Sequence, residues 1–288
     1  MPPPLISPSN RSTFSVRKSS GDLGSLLRYW REVRAKNQLQ LSLDTGISQK
    51  QISFIENGRS TPARETLTCL AEALDVPLRE RNALFLAAGY APIYSEEAWN
   101  AAEMATITNA ITRILRQHEP LPAVVLDRHW NVLVANDAAP RFFGKFIDMA
   151  ARKGPRNILH LAFDPAGMRP FIVDWEIAAK SLLQRVCRES TRGVRDQKTQ
   201  ELLDALLDYP GVREDWKKPS VFEVDAPSRN HPLIPLSFRK GGKVLRYFSM
   251  VTTVGTPQTV SAQELRIETM FPADEATEKL HLKLMRLL

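Results

Sequence analysis

Cysteine is scarce in this chain. The 288 residues hold two, Cys69 and Cys187, 118 positions apart and neither in a CxxC pair. That excludes a disulfide scaffold and a thiolate zinc site, and it suits a reducing compartment. Long hydrophobic runs are absent too, since none approaches the ~18 apolar residues that would cross a bilayer. The opening Met1-Pro2-Pro3-Pro4-Leu5 has neither the basic nor the apolar region of a secretory signal. A soluble, cytoplasmic protein with no membrane partner is expected. The chain also lacks GxSxG, GxxxxGK[ST], HExxH and GxGxxG, and Gly241-Gly242-Lys243 runs into a valine, which makes it a hairpin turn rather than a phosphate loop. The five histidines, at 118, 129, 160, 231 and 281, share no metal-ligand spacing. These absences argue against an enzyme, a metal site or a nucleotide cofactor.

What is present is ordinary for a folded protein. Of the residues 43% are hydrophobic and 25% charged, a length and composition that suit roughly two domains. The formal net charge of +7 is unevenly placed: residues 1–90 carry 12 Lys and Arg against 8 Asp and Glu, and the other 198 carry 27 against 24. The N-terminal part is therefore about three times as densely basic, as a polyanionic partner would favour.

Residues 1–20, with four prolines and six serines, are expected to form a disordered tail. Over 21–90 the pattern is helical. Leu23, Leu26, Leu27 and Trp30 recur at three and four residues, and short helices are predicted over 38–45, 49–56, 64–74 and 78–88. Asn37 and Ser48 each precede a glutamine by three, the signature of a capping box, and Gly46 and Gly58 stand where a chain leaving a helix needs positive φ. Residues 91–119 read as a linking helix. From 120 to 288 the pattern predicts a hairpin over 123–126 and 132–134, helices over 137–149, 174–189 and 197–208, and strands over 220–225, 233–239, 243–254 and 262–270. The expected fold class is α+β: an all-α N-terminal domain, then an antiparallel sheet with helices on one face.

Between Gln38 and Ile55 the residue types fall at the offsets of a helix-turn-helix. Small Ser42 sits where the two helices cross, Gly46 serves the turn, and Leu41, Ile47, Ile52 and Ile55 form the inner face. Ser48, Gln49, Lys50, Ser53 and Phe54 are left on the outer face of the second helix, where a recognition helix meets base edges. Gln pairs with adenine, Lys reaches guanine O6 and N7, and an aromatic ring can lie against a thymine methyl. Phe54 equally suits packing against a neighbouring helix. Gln38, first in its helix, and Arg59, just beyond the second, are the expected phosphate contacts, which makes a double-stranded DNA operator the expected partner. Two plain packed helices share these offsets, but not the polar outer face.

Residues 22 to 90, including Ile55-Glu56-Asn57-Gly58-Arg59, resemble the helix-turn-helix domain of the xenobiotic-response-element family, of Cro/cI type. Ser42 stands where that family usually has alanine, and Ala63 where it often has a capping serine. The remainder resembles the C-terminal domain of MmyB-like transcription regulators. The likeness is carried by Val125-Leu126-Asp127-Arg128-His129-Trp130-Asn131-Val132, Asn136, Arg169-Pro170-Phe171-Ile172-Val173-Asp174-Trp175, Tyr209-Pro210-Gly211, Gly255-Thr256-Pro257-Gln258, Glu264-Leu265-Arg266-Ile267-Glu268 and Phe271-Pro272-Ala273-Asp274. It implies a PAS-like ligand-binding domain that accepts small apolar ligands, with a fatty acid as the bound molecule to expect.

Phe142, Phe143, Trp175, Leu182, Phe238, Phe248 and Met250 are the residues expected to line a cavity between a curved sheet and its helices. Each taken singly reads more simply as a core residue. Arg169, set in an apolar stretch, suits a ligand carboxylate or a salt bridge to Asp174 or Glu176. The expected protein is a sequence-specific DNA-binding regulator, a homodimer on two half-sites, whose C-terminal domain binds a small apolar ligand. The competing reading makes that domain a ligand-free dimerisation or protein-interaction module.

Overall fold

The computed structural model describes residues 22–99, 101–191, 197–217 and 236–286. The chain divides into two compact units, one running to Val76 and again from Arg81 to Pro92, the other comprising Pro77–Glu80 and the chain from Ile93 onward.

The first unit is built on α1 (Leu23–Val33), α2 (Gln38–Thr45), α3 (Gln49–Glu56), α4 (Arg64–Ala73) and all but the first turn of α5 (Leu78–Ala87). Their starts are set by short polar side chains that satisfy otherwise orphaned N–H groups. Asp22 accepts from the Ser25 amide, Asn37 and Gln40 make a complete reciprocal capping box, and Ser48 accepts from the Gln51 amide. Gly46 ends α2 at φ +71°, a conformation that is strained for a side chain bearing Cβ. Leu27, Trp30, Leu41, Ile52, Ile55, Leu67 and Leu70 are fully buried between the helices. Gly24 is required by the close approach of α1 to α3: a Cβ there would run into the Glu56 carbonyl.

In the second unit β1 (Ala123–Leu126), β2 (Val132–Ala135), β3 (Leu236–Lys240), β4 (Lys243–Thr252) and β5 (Arg266–Pro272) form one antiparallel sheet in the order β2-β1-β5-β4-β3. It carries α6 (Ala105–Gln117), α7 (Ala138–Phe143), α8 (Ile158–Phe163), α9 (Trp175–Thr191), α10 (Gln197–Leu207), α11 (Val260–Glu264) and α12 (Glu275–Arg286). This is the α+β arrangement expected, an antiparallel sheet with flanking helices. The continuous apolar run of β1 is buried at all four positions because both faces of the sheet are covered. Val124 and Leu126 pack with α7, α8 and α9, whereas Ala123 and Val125 pack with Met104, Ile111, Leu115 and Ile267.

Several expectations change here. Helices lie on both faces of the sheet, not one, and the segment expected to be a linking helix covers the second face through Ile111 and Leu115 of α6. The helix predicted over 137–149 stops at Phe143, where Gly144, a poor helix former, follows. An unforeseen helix, α8, starts at Asn157, whose Oδ1 accepts from the Leu159 and His160 amides. The strand predicted over 262–270 starts only at Arg266, because Thr259 caps a short helix first. The strand predicted over 220–225 lies outside the described residues, as do 233–235 of the next one.

Candidate functional site

In the first unit, α3 presents its outer face as the offsets require. Ser48, Gln49, Lys50 and Arg59 are exposed, and Ser53 and Phe54 are half-buried. Phe54 neither enters the core nor stands alone: the Lys50 ammonium lies 5.6 Å and the Arg59 guanidinium 6.0 Å from its ring centre. A cation over an aromatic face is attracted by the ring quadrupole. Phe54 thus contacts two cations of the outer face. Ser48 and Ser53 are already committed locally, one accepting from the Gln51 amide and the other from Asn57 Nδ2 at 3.3 Å.

Gln38 has a different place from the one expected. Its Nε2 donates to Glu56 Oε2 at 2.9 Å, so the side chain braces α2 against α3, which leaves its second amide hydrogen and its backbone N–H, at the helix start, for a phosphate. Burial pushes the Glu56 carboxyl up, but hydrogen bonds from Arg31 and Gln38 outweigh it and hold it below the ordinary carboxylate range.

In the second unit a cavity of about 170 Å³ lies between the sheet and α8 and α9. Its wall is mostly apolar, with Val124, Trp130, Phe143, Leu161, Met168, Leu182, Phe238 and Met270 among the residues lining it. Of the residues expected there, Phe143, Leu182 and Phe238 are brought together. Phe142 is fully buried behind the wall, edge-on to Phe143, Phe238 and Tyr247 at 5.3–5.6 Å. Phe248 and Met250 are on the wrong face. Side chains alternate along a strand, so the β4 residue that borders the cavity is Ser249, while Phe248 stacks on Phe271 and Met250 is 54% exposed.

Trp175 and Arg169 also lie elsewhere. Trp175 donates from Nε1 to the Ala162 carbonyl and packs near Phe163 and Trp216. The Arg169 guanidinium lies 3.7 Å from the Trp175 ring centre and donates to the Pro210 carbonyl. It reaches neither Asp174, Glu176 nor the cavity. The charged groups that do border the cavity are Arg185 and Glu268, 2.8 Å apart, with Ser181 and Ser249 beside them. A signal for them exists: Ala178, Leu182 and Arg185 repeat at four and three residues on one face of α9, so an apolar helix stripe ends in a cation.

Among the described residues no three His, Cys, Asp or Glu side chains converge as a metal site, and no helix is long and apolar enough to cross a membrane. Residues 107–284 match the family described as the MmyB-like transcription regulator ligand binding domain, and residues 24–89 match a helix-turn-helix domain. An uncharacterized HTH-type transcriptional regulator of Bacillus subtilis (strain 168), RghRB, is 36% identical over 117 residues, which are 40% of this chain and 81% of that protein. The structure of an RNA-binding light-oxygen-voltage receptor aligns with 92% of this chain at a TM-score of 0.28 and 12% identity, and the chain spans only 62% of that receptor's length.

Proposed function

The chain belongs to the MmyB-like transcription regulators and is a DNA-binding transcriptional regulator with a ligand-binding domain; from that premise we propose that it reads a specific operator through α3 and responds to a small apolar ligand such as a fatty acid. Gln49 and Lys50 make the base contacts, Arg59 and the backbone N–H of Gln38 the phosphate contacts, and Phe54 positions the two cations. The observation that supports the DNA reading is the exposed outer face of α3 with its Lys50-Phe54-Arg59 row. The ligand reading rests on the largely apolar cavity, lined in part by Phe143, Leu182 and Phe238. That cavity favours a ligand domain over a ligand-free interaction module.

A single small head buries too little surface for tight operator binding, so the proposal includes a homodimer on two half-sites about one helical turn, ~34 Å, apart. The protein works in the cytoplasm, with its DNA. An electrophoretic shift of the intact protein on a duplex carrying an inverted repeat tests the reading. Log K should fall steeply with log salt as phosphate contacts release counterions, and a flat response from tens to hundreds of millimolar would sink it.

A further inference from the structure

Trp130 lines the cavity from a strained backbone position. Its φ is +68°, in the left-handed region that a bulky side chain rarely adopts, and the residue is 2% exposed. The β1–β2 turn could take the same shape with less strain, because glycine and asparagine adopt that conformation readily and an asparagine, Asn131, stands next in the chain. A tryptophan kept there points to a need for the indole itself. Strain that the surroundings enforce concentrates at binding and catalytic sites.

The surroundings that enforce it are continuous. The Trp130 N–H donates to the Asp127 carbonyl at 3.1 Å and the Trp130 carbonyl accepts from the Ile158 amide at 3.1 Å, so both backbone groups are tied. Asp127 Oδ1 accepts from the backbone amides on either side of Trp130, His129 at 2.8 Å and Asn131 at 2.9 Å, and Asp127 Oδ2 accepts from Asn131 Nδ2 at 2.9 Å. Asn131 Oδ1 in turn accepts from Asn157 Nδ2 at 3.1 Å, and that same nitrogen donates to the His129 carbonyl at 2.8 Å. Asn157 is the cap of α8, which supplies Ile158, Leu159, Leu161 and Ala162 to the cavity wall. One chain of hydrogen bonds therefore runs from Asp127 to the start of α8 and fixes two parts of the wall together. The indole also meets the other two sides: the guanidinium of Arg185 on α9 lies 4.5 Å, and that of Arg266 on β5 5.4 Å, from its ring centre.

We propose that Trp130 is the preformed ligand contact of the cavity, and that Asp127 is its positioning residue, acting through Asn131 and Asn157. A wall ordered before the ligand arrives needs no further ordering on entry, which is how a preorganised site gains affinity. The inference rests on the reading that this cavity is the ligand site.

The test is calorimetry of the intact protein with octanoate and octanol, on the wild type, Trp130→Phe, Asp127→Asn, Asn131→Asp and the double exchange of the last two, each with its fold checked by circular dichroism. Asp127→Asn sets a donor against a donor, and Asn131→Asp sets two carboxylates together, so either should weaken both probes about fivefold. The double exchange places an amide opposite a carboxylate again, with the two roles reversed, and should restore affinity to within about twofold of the wild type. A role in stability alone would lower the urea midpoints of the single variants and leave the probe affinity of the folded protein unmoved. Trp130→Phe, which leaves the hydrogen bonds of the turn in place, should weaken both probes about fivefold through lost contact with the indole. Undiminished binding by Trp130→Phe or by Asp127→Asn, or a double exchange no tighter than its single components, overturns the proposal while leaving the cavity as the ligand site. Binding of neither probe by the wild type overturns the cavity reading itself, and the assignment of Trp130 with it.

Discussion

Arg31 grips Glu56 through two hydrogen bonds, 2.6 Å from Nε to Oε1 and 2.9 Å from Nη2 to Oε2, on a carboxylate with no exposed surface. The pair joins α1 to the end of α3. Breaking a buried pair by removing one partner leaves a charge without compensation.

Arg31→Ala should therefore destabilise the protein by about 3–5 kcal/mol, and Glu56→Gln by distinctly less, since a glutamine can still accept from Arg31, whose cation, unlike the Glu56 carboxylate, keeps some contact with solvent. Urea denaturation of the two variants checks the asymmetry. Equal losses would mean that Arg28, 3.6 Å from the carboxylate, and the Gln38 hydrogen bond compensate Glu56 by themselves.

Ala63 begins α4 in an extended conformation, φ −62° and ψ 159°, with no side-chain hydrogen bond to the helix. A serine in that geometry accepts from an amide of the first turn. Ala63→Ser should raise stability by about 0.5–2 kcal/mol with an unchanged denaturant slope. A neutral or destabilising result would show that the first turn of α4 is already satisfied.

On DNA, Gln49→Ala should cost about 1–3 kcal/mol on the specific site and relax preference at one base pair, whereas Arg59→Ala should weaken specific and random duplexes alike. Fluorescence anisotropy with both duplexes separates them. If the two substitutions behave identically, the assignment of the reading face on α3 is wrong.

His281 is fully buried, with Nε2 at 2.9 Å from the Pro120 carbonyl and Nδ1 at 2.8 Å from the Tyr247 hydroxyl. A carbonyl only accepts, so Nε2 carries the hydrogen and Nδ1 accepts from Tyr247, which is the neutral imidazole. Burial lowers its pKa from the ordinary 6.5 by more than the Pro120 bond raises it. The sign follows: the unfolded chain binds the proton first, so this stability is present above about pH 6.5 and is lost as the pH falls through the lower folded value. Half-buried His160, lowered by burial and by Arg152, acts in the same direction. Urea midpoints from pH 8 to pH 5 should fall for the wild type and fall less for His281→Gln. An unchanged slope in the variant would place the titration elsewhere.

Local chemistry made the first unit legible from the sequence. Helix starts at Asn37 and Ser48, the left-handed turn at Gly46 and the inner face of Leu41, Ile52 and Ile55 all follow from bonds and spacings that span four residues or fewer. The β1–β2 hairpin and the β3–β4 turn were legible for the same reason. The side-chain partner of Gln38 was not, because Glu56 lies 18 residues away and nothing local joins them. Nor was the place of Gly24, whose need arises only where another helix crosses it. In the second unit, composition located the aromatic segments, but the parity of β4 decided which side chains reach the cavity, and a shift of one residue sends Phe248 outward and Ser249 inward. The Ala178, Leu182 and Arg185 stripe marks one arginine on the apolar face of α9, but Arg169 also sits among apolar residues, and only the packing of α9 across the sheet brings one of the two within 2.8 Å of Glu268 on β5, 83 residues away.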